Sequence, residues 1–220
     1  MQPVASRWHT VAVLALIAVS GFRGWVRADQ MRASLNPDRI SIYERTIVFE
    51  WLVLALVLLG VWINGSTVLT VLGDRWRTVR QFLSDLGIGL LFLFASILLM
   101  SIASSHGGAS DSSTQFLLPR GRVEKELWVL LSITAGICEE AVYRGYLQRQ
   151  FMALTKSVPI GIVLSALVFG AAHSYQGVAQ ATLIGTLGAM GGVLAYWRRS
   201  VRPGMIAHVL QDMLGGFINH

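Results

Sequence analysis

The sequence predicts an all-α integral membrane protein, built as a bundle of about seven transmembrane helices. Of its 220 residues, 54% are hydrophobic and only 14% are charged, whereas soluble domains carry about 25% charged residues. Three runs, 51–73, 86–110 and 157–197, contain no charged residue. A transmembrane helix needs about 20 mostly apolar residues, so the third run predicts two helices. The polar segment 173–177 is the expected turn between them because it ends in glycine.

Short polar segments are expected to connect the helices. A polar connection is predicted at 26–44, with a break at Asn36-Pro37, and a Gly/Ser-rich loop at 104–113. Segment 66–84 mixes aromatic and aliphatic residues with arginines, so it predicts a helix lying in the membrane interface. The predicted spans are, in order, about 8–25, 46–64, 86–104, 124–150, 158–174, 177–197 and 203–219.

The charge balance indicates contact with lipid headgroups. The net charge is +6, and 16 of the 18 basic residues are arginines. They lie between the apolar runs, as Arg198, Arg199 and Arg202 do, which is typical of loops that face headgroups. We therefore expect the lipid bilayer as a partner and no nucleic acid. The single cysteine, Cys138, excludes an internal disulfide and a metal site made of several cysteines.

Ionisable residues inside predicted spans need a reason, since each costs about 2.5–3.5 kcal/mol on insertion scales. The fourth predicted span carries Glu139, Glu140 and Arg144. Glu140 and Arg144 are four residues apart, so they share a helix face and can pair. Glu139 points about 100° away and has no local partner, which suits a general base. The alternative is that this cluster marks the end of the helix at the headgroups.

Two further predicted spans carry polar residues four apart. Phe169 and His173 share a face at the end of the fifth span, and His208 and Asp212 share a face in the seventh. Asp212 is placed to orient the His208 imidazole. The alternatives are an interfacial histidine and a polar pair that joins helices. Glu50, by contrast, is expected at headgroup level where the second span begins.

The three places together are more specific than any one of them. Separate spans contribute two adjacent carboxylates, two imidazoles, an arginine and an aspartate. This set suits the activation of water in an intramembrane polar active-site cavity of low dielectric. The candidate catalytic residues are Glu139, Glu140, Arg144, His173, His208 and Asp212.

The same residues form three motifs that follow one another along the chain. They are Glu139-Glu140-x-x-x-Arg144, Phe169-x-x-x-His173 and His208-x-x-x-Asp212. This series resembles the CPBP family of intramembrane proteases, also called the Abi or CAAX-processing family. The resemblance covers roughly residues 120–215. It divides the chain into N-terminal transmembrane helices and an interfacial helix, 1–119, and the catalytic core helices, 120–220.

The resemblance implies an intramembrane endopeptidase in the cytoplasmic membrane of a bacterium, acting on a membrane-associated protein or peptide. By motif position, Glu139 is the base and works with His173 on the attacking water. His208 and Asp212 stabilise the oxyanion and orient groups, while Glu140 and Arg144 hold the site together. The last motif ends in Asp212, where members that process prenylated proteins usually have asparagine, so the chain departs from that branch here.

Three questions stay open at the level of sequence. A metal-free mechanism needs no cofactor, and we expect none; zinc bound through Glu139, His173 and His208 is the alternative. A proton- or cation-coupled transporter subunit is a second functional class, because membrane acids also form ion relays. A non-catalytic membrane partner, of the kind that gives immunity to bacteriocins, is a third.

Overall fold

A computed structural model of the chain describes residues 2–34, 37–105 and 115–218. These residues are almost entirely helical and contain no strand, so the predicted all-α class is confirmed. A π-helical segment, Glu140–Leu147, joins α5 to α6, which makes one continuous helical run from 122 to 155. The helices are α1 Arg7–Ala33, α2 Arg39–Ile63, α3 Val68–Leu72, α4 Val79–Ser105, α5 Arg122–Glu139, α6 Gln148–Thr155, α7 Val158–Ala172, α8 Val178–Arg198 and α9 Arg202–Ile218.

Four of these helices, α1, α2, α4 and α8, are long and apolar enough to cross a membrane. The helix α7 is apolar but shorter. Their exposed surfaces carry large hydrophobic side chains, such as Leu91 and Phe94 on α4, which is where lipid contact is expected. The chain is therefore a membrane protein, while the count of seven spans stays a prediction.

The predicted boundaries hold in the C-terminal half but not in the N-terminal half. The helices α7, α8 and α9 begin and end within two residues of their predicted bounds. The helix α1 continues to Ala33 and α2 begins at Arg39, so most of the predicted connection 26–44 is helical. Hydropathy reports where the chain leaves the apolar layer, but a helix ends only where its backbone hydrogen bonds end. The predicted loop 104–113 and the break at Asn36 lie largely outside the described residues.

A single helix over the predicted interfacial segment 66–84 does not form, and the position of this segment in the membrane interface stays a prediction. Only the five-residue helix α3 occurs there, and α4 begins at Val79. The chain turns at Gly73, which has a φ of +88°. A Cβ at this position would lie 2.7 Å from the carbonyl oxygen of Arg199, so glycine allows the turn to pack against the α8–α9 connection.

Asp85 lies inside α4. Its carboxylate is buried and accepts hydrogen bonds from Trp76 Nε1 and from an Arg198 guanidinium nitrogen, both at 2.8 Å. These bonds join the start of α4 to the end of α8. A buried carboxylate with two donors is satisfied, and its role here is to hold helices together.

Hydrogen bonds connect the N-terminal segment to the π-helical segment and to α6. His9 Nδ1 lies 2.7 Å from the Tyr146 hydroxyl, and the Gln150 side chain bonds Val4 N and Ala5 O. Tyr146 and Gln150 are fully buried. These long-range bonds fix the position of the π-helical segment, every residue of which is buried. The segment that carries Glu140 and Arg144 is thus rigidly held.

Candidate active site

The π-helical segment brings Glu140 and Arg144 together as the sequence predicts. The Glu140 Oε1 and an Arg144 guanidinium nitrogen are 3.2 Å apart, and both side chains are about 5% exposed. One extra residue per turn is rare in helices and often occurs at functional positions. The guanidinium also lies over the Phe169 ring, 4.1 Å from its centroid. A cation held by both a carboxylate and an aromatic face is strongly positioned.

Glu139 lies between the two candidate histidines. Its Oε1 is 3.8 Å from His173 Nε2, and its Oε2 is 3.7 Å from His208 Nε2. The three side chains are 15–16% exposed. The helices α5, α7 and α9 therefore place one carboxylate and two imidazoles around a common point.

The tautomer of His173 follows from its surroundings. Its Nδ1 is 2.8 Å from the carbonyl oxygen of Phe169. A carbonyl only accepts, so Nδ1 carries the hydrogen and donates it. In the neutral ring, the lone pair is then on Nε2, which faces Glu139. His173 follows the last residue of α7 as its C-cap, which leaves its ring free to turn towards the site.

His208 is oriented differently from the sequence prediction. Its Nδ1 is within hydrogen-bond distance of Glu140 Oε1, at 3.3 Å. Its Nε2 lies 3.6 Å from Asp212 Oδ2 and 3.7 Å from Glu139 Oε2. Glu140 is thus the residue that hydrogen-bonds the ring, and Asp212 approaches the nitrogen that faces Glu139. Helical spacing pointed to Asp212, whereas the contact with Glu140 depends on the packing of α9 against α5.

Phe169 connects the three motifs. Its ring makes edge contacts with Tyr143, His173 and His208, at centroid distances of 4.8, 4.7 and 6.3 Å. Gly188 on α8 leaves room for this cluster, because a Cβ there would lie 2.9 Å from the Phe169 ring. All six candidate residues therefore lie in one cluster, in which Phe169 contacts Arg144, His173 and His208; their catalytic roles stay predictions.

The residues of the cluster differ in their exposure to solvent and in the surfaces beside them. Asp212 is 33% exposed, more than the other candidate residues. A cavity of about 480 Å³ lies between α1 and α7 and reaches Ala172 and Ser174, which flank His173. Its lining is apolar, with Leu14, Phe22 and Trp25 among its side chains. A polar cavity around the carboxylates and imidazoles stays a prediction.

The positions of the donor atoms of Glu139, His173 and His208 bear on the zinc alternative, and the absence of a cofactor stays a prediction. Among the described residues, no group of three or more His, Cys, Asp or Glu side chains is arranged to hold a metal ion. The oxygens and nitrogens of Glu139, His173 and His208 are 3.7–3.8 Å apart. Zinc at about 2.0–2.1 Å from each ligand in a tetrahedron would require them to move closer. The side chains as they stand do not fit the ion.

Two residues near the cluster were not predicted as site residues. The Tyr175 ring stacks on the His173 ring, with centroids 6.0 Å apart. Gln176 Nε2 donates a hydrogen bond to the Tyr175 hydroxyl. Glu50 lies on α2 and interacts electrostatically with Glu139, His208 and Asp212. Tyr175 follows His173 by only two residues, and this closeness in the sequence could have indicated that Tyr175 lies near the site. The sequence indicated less about Glu50, because Glu50 lies inside the bundle only if α2 begins as early as Arg39.

The fold and the cluster define a class: an all-helical membrane protein whose C-terminal helices gather two glutamates, two histidines, an arginine and an aspartate. Within that class, residues 125–214 match the family model for type II CAAX prenyl endopeptidases, Rce1-like. The predicted resemblance to the CPBP or CAAX-processing proteases is thereby confirmed over a little under half of the chain. The match supports a peptidase of the CAAX-protease type at the level of the family. No curated protein and no solved structure matches the chain.

Replacing Gly204 by alanine is expected to disturb the cluster through Glu140. The new Cβ would lie 2.7 Å from Glu140 Oε2, so the carboxylate would have to shift, which strains the contacts of its Oε1 with Arg144 and His208. Overpacking of this kind costs about 1–3 kcal/mol. Unfolding of the purified protein in detergent measures the loss.

Gly215 gives a matched control on the same helix, α9. A Cβ there meets nothing within 4 Å, so Gly215→Ala is expected to leave stability unchanged or raise it by about 0.5–1 kcal/mol. Equal stability of the two alanine variants would contradict the close contact of Gly204 with Glu140.

Proposed function

We propose that the protein is an intramembrane endopeptidase that hydrolyses peptide bonds in a membrane-associated protein or peptide. The observation that carries the proposal is the position of the Glu139 carboxylate between the Nε2 atoms of His173 and His208. A carboxylate with imidazoles on both sides can accept a proton from water and stabilise the charges that follow. The family match over residues 125–214 supports the same class of reaction.

The proposed reaction uses each group once. The oxygen of a water molecule between Glu139 and His173 attacks the carbonyl carbon of the substrate, and Glu139 takes one proton of that water. The negative charge that develops on the carbonyl oxygen is stabilised by the Nε2–H of His208, which in this step carries hydrogens on both ring nitrogens because its Nδ1–H is donated to Glu140. The carbon–nitrogen bond then breaks and the amine nitrogen takes up a proton. The products are a peptide with a new carboxyl terminus and a peptide with a new amino terminus.

Glu140 and Arg144 are proposed to position this machinery without reacting. Glu140 accepts from His208 Nδ1 and pairs with Arg144, which fixes the ring that faces the oxyanion. Asp212 supports His208 from the Nε2 side at 3.6 Å. This arrangement gives Asp212 an orienting role for which asparagine is not required.

The mechanism is proposed to need no metal ion. The base, the second imidazole and the oxyanion donor are all supplied by side chains of α5, α7 and α9. Elemental analysis of purified, active protein tests this proposal. Stoichiometric zinc whose removal abolishes cleavage would replace the metal-free mechanism by one in which Glu139, His173 and His208 move together around the ion.

The proposed substrate is a protein or peptide in or on the bilayer, and the proposed location is the cytoplasmic membrane of a bacterium. The carboxylates of Glu139 on α5 and Glu140 in the π-helical segment are reached most directly by a chain already held at the membrane. Comparison of the C-termini of membrane proteins, in cells with and without the gene, tests the proposal. New C-termini are expected with the wild-type protein and not with Glu139→Ala, provided that the variant inserts in equal amount.

Two results would favour the other functional classes. Proton or cation flux into liposomes that depends on Glu139, without any new C-termini, would indicate a transporter subunit. Protection of cells against a bacteriocin that survives Glu139→Ala would indicate a non-catalytic immunity partner. Either result would overturn the endopeptidase proposal.

A further inference from the structure

Glu50 lies inside the helix bundle. The sequence suggested that Glu50 lies at the start of the second span. Since α2 runs from Arg39 to Ile63, Glu50 is instead near the middle of this helix. It shares a helix face with Leu54 and Val57, four and seven residues further along. These two side chains are 6% and 0% exposed. The face that carries Glu50 is therefore turned to the bundle interior.

The Glu50 carboxyl group is incompletely satisfied. Its Oε2 is shielded from solvent and has no hydrogen-bond partner among the described residues. The Oε2 atoms of Glu139 and Glu140 are in the same condition, so all three carboxyl groups have an unpaired buried oxygen. Unpaired buried polar atoms are uncommon, and each one needs an explanation. Inside a membrane span, an ionisable residue of this kind marks function more often than packing.

Glu50 belongs electrostatically to the candidate site. When ionised, it interacts electrostatically with Glu139, His208 and Asp212 and with Tyr143 and Tyr175. The core cluster contains both the buried face of α2 and residues of α5 and the π-helical segment, which explains this proximity. Next to Glu50, Trp51 Nε1 donates to Thr134 Oγ1 at 3.2 Å. A third glutamate, from the N-terminal half, therefore lies on the interior side of α2, where this helix packs against α5.

Peptide hydrolysis needs a proton donor as well as a base. The proposed function assigns Glu139 as the base but leaves the leaving amine without a donor. Two carboxyl groups in different environments commonly divide these roles, one ionised and one protonated. Among apolar side chains and other carboxylates, the neutral form of a carboxyl group has a lower free energy than its ionised form. Glu50 meets this description, because the buried apolar side chains of Leu54 and Val57 share its face of α2.

We propose that Glu50 is a further catalytic residue, which donates the proton taken up by the leaving amine. This rests on the proposed function. When the carbon–nitrogen bond breaks, its electron pair goes to nitrogen, which takes the proton of the Glu50 carboxylic acid. The proton that Glu139 took from water then passes to the Glu50 carboxylate and restores both groups. The net reaction consumes one water and one peptide bond.

Glu50→Gln separates this role from a structural one. Glutamine keeps the size and the hydrogen-bonding atoms of the side chain but has no acid proton to give. Cleavage of the substrates found by C-terminal comparison is expected to fall about 10²–10⁴-fold. Glu50→Asp, which keeps the acid, is expected to retain more activity than Glu50→Gln. The matched control is Glu44→Gln, an exposed glutamate on the same helix, which is expected to cleave like the wild type.

The outcomes distinguish this proposal from the proposed function. Loss of cleavage in Glu139→Gln with a wild-type rate in Glu50→Gln would overturn the role of Glu50 and leave the endopeptidase standing. Wild-type rates in both variants would overturn the endopeptidase itself. Equal rates in Glu50→Asp and Glu50→Gln would assign Glu50 to packing.

A second measurement needs no substrate. Infrared spectra of the purified protein in lipid report protonated carboxyl groups through their carbonyl stretch. The band of such a group is expected in the wild type and in Glu44→Gln, and it is expected to be missing in Glu50→Gln. An unchanged band in Glu50→Gln, in protein that inserts and unfolds like the wild type, would overturn the proposal.

Discussion

Glu139→Gln is expected to lower cleavage about 10²–10⁴-fold, the contribution typical of a positioned acid–base group. Glutamine has the shape of glutamate and can still contact His173 and His208, but it cannot take the proton of the attacking water. The rate is measured on the substrates identified by the comparison of C-termini. His173→Gln is expected to cause a loss of similar size, because Glu139 and His173 act on the same water.

The control for this experiment lies on the same helix. Glu126 is 63% exposed and pairs with Arg122 at the start of α5, so Glu126→Gln is expected to cleave at the wild-type rate. Equal amounts of the variants in the membrane exclude a loss of insertion as the cause. Wild-type cleavage by Glu139→Gln would contradict the assignment of Glu139 as the base, and with it the mechanism.

The effects of Glu139 and His173 are expected to be non-additive. Residues that act as a unit lose nearly all of their effect when one is removed. The double variant Glu139→Gln, His173→Gln should therefore be little slower than either single variant. Multiplication of the two single losses would indicate that the residues act in separate steps.

The C-terminal half could be predicted from the sequence because its signals are local. Charge-free runs and a polar turn fix α7 and α8, and spacing by four fixes which face carries Glu140 and Arg144. His173 was predicted at the end of its helix, where it occurs. These features depend on residues near one another in the chain, so periodicity and hydropathy are enough to find them.

Features that depend on tertiary packing were not predictable in the same way. The orientation of His208 by Glu140 requires α9 to pack on α5, and the sequence offered Asp212 because it was closer along the chain. Glu50 was placed at the headgroups because the apolar run of α2 begins after it. In the structure, Asp38 caps α2 by accepting from Ser41 N, and the helix has made three turns before it reaches Glu50.

Arg144→Met is expected to cost about 3–5 kcal/mol of stability, because it leaves Glu140 as a buried carboxylate without its cation. Both side chains are about 5% exposed, so water cannot replace the lost partner. Unfolding of the detergent-solubilised protein measures the loss. Cleavage should fall as well, since Glu140 would no longer hold His208 in place.

The exposed pair on the same helical run gives a matched control. Arg122 and Glu126 are also four residues apart, with nitrogen and oxygen 2.9 Å apart, but they are 91% and 63% exposed. Exposed pairs at this spacing contribute about 0.3–0.5 kcal/mol, so Arg122→Met should be nearly neutral. Equal losses of stability in Arg144→Met and Arg122→Met would contradict the prediction that breaking the buried pair costs more than breaking the exposed one.

The double variant Glu140→Gln, Arg144→Met decides what the buried pair is for. With both charges removed, the desolvation cost of an unpaired carboxylate disappears, so stability should recover part of what Arg144→Met loses. His208 would still face a glutamine instead of a carboxylate, so cleavage should not recover with it. Recovery of stability without recovery of cleavage would show that Glu140 and Arg144 are kept in the membrane to position His208, at a net cost to the fold. Recovery of both would reduce the pair to a packing element of the π-helical segment.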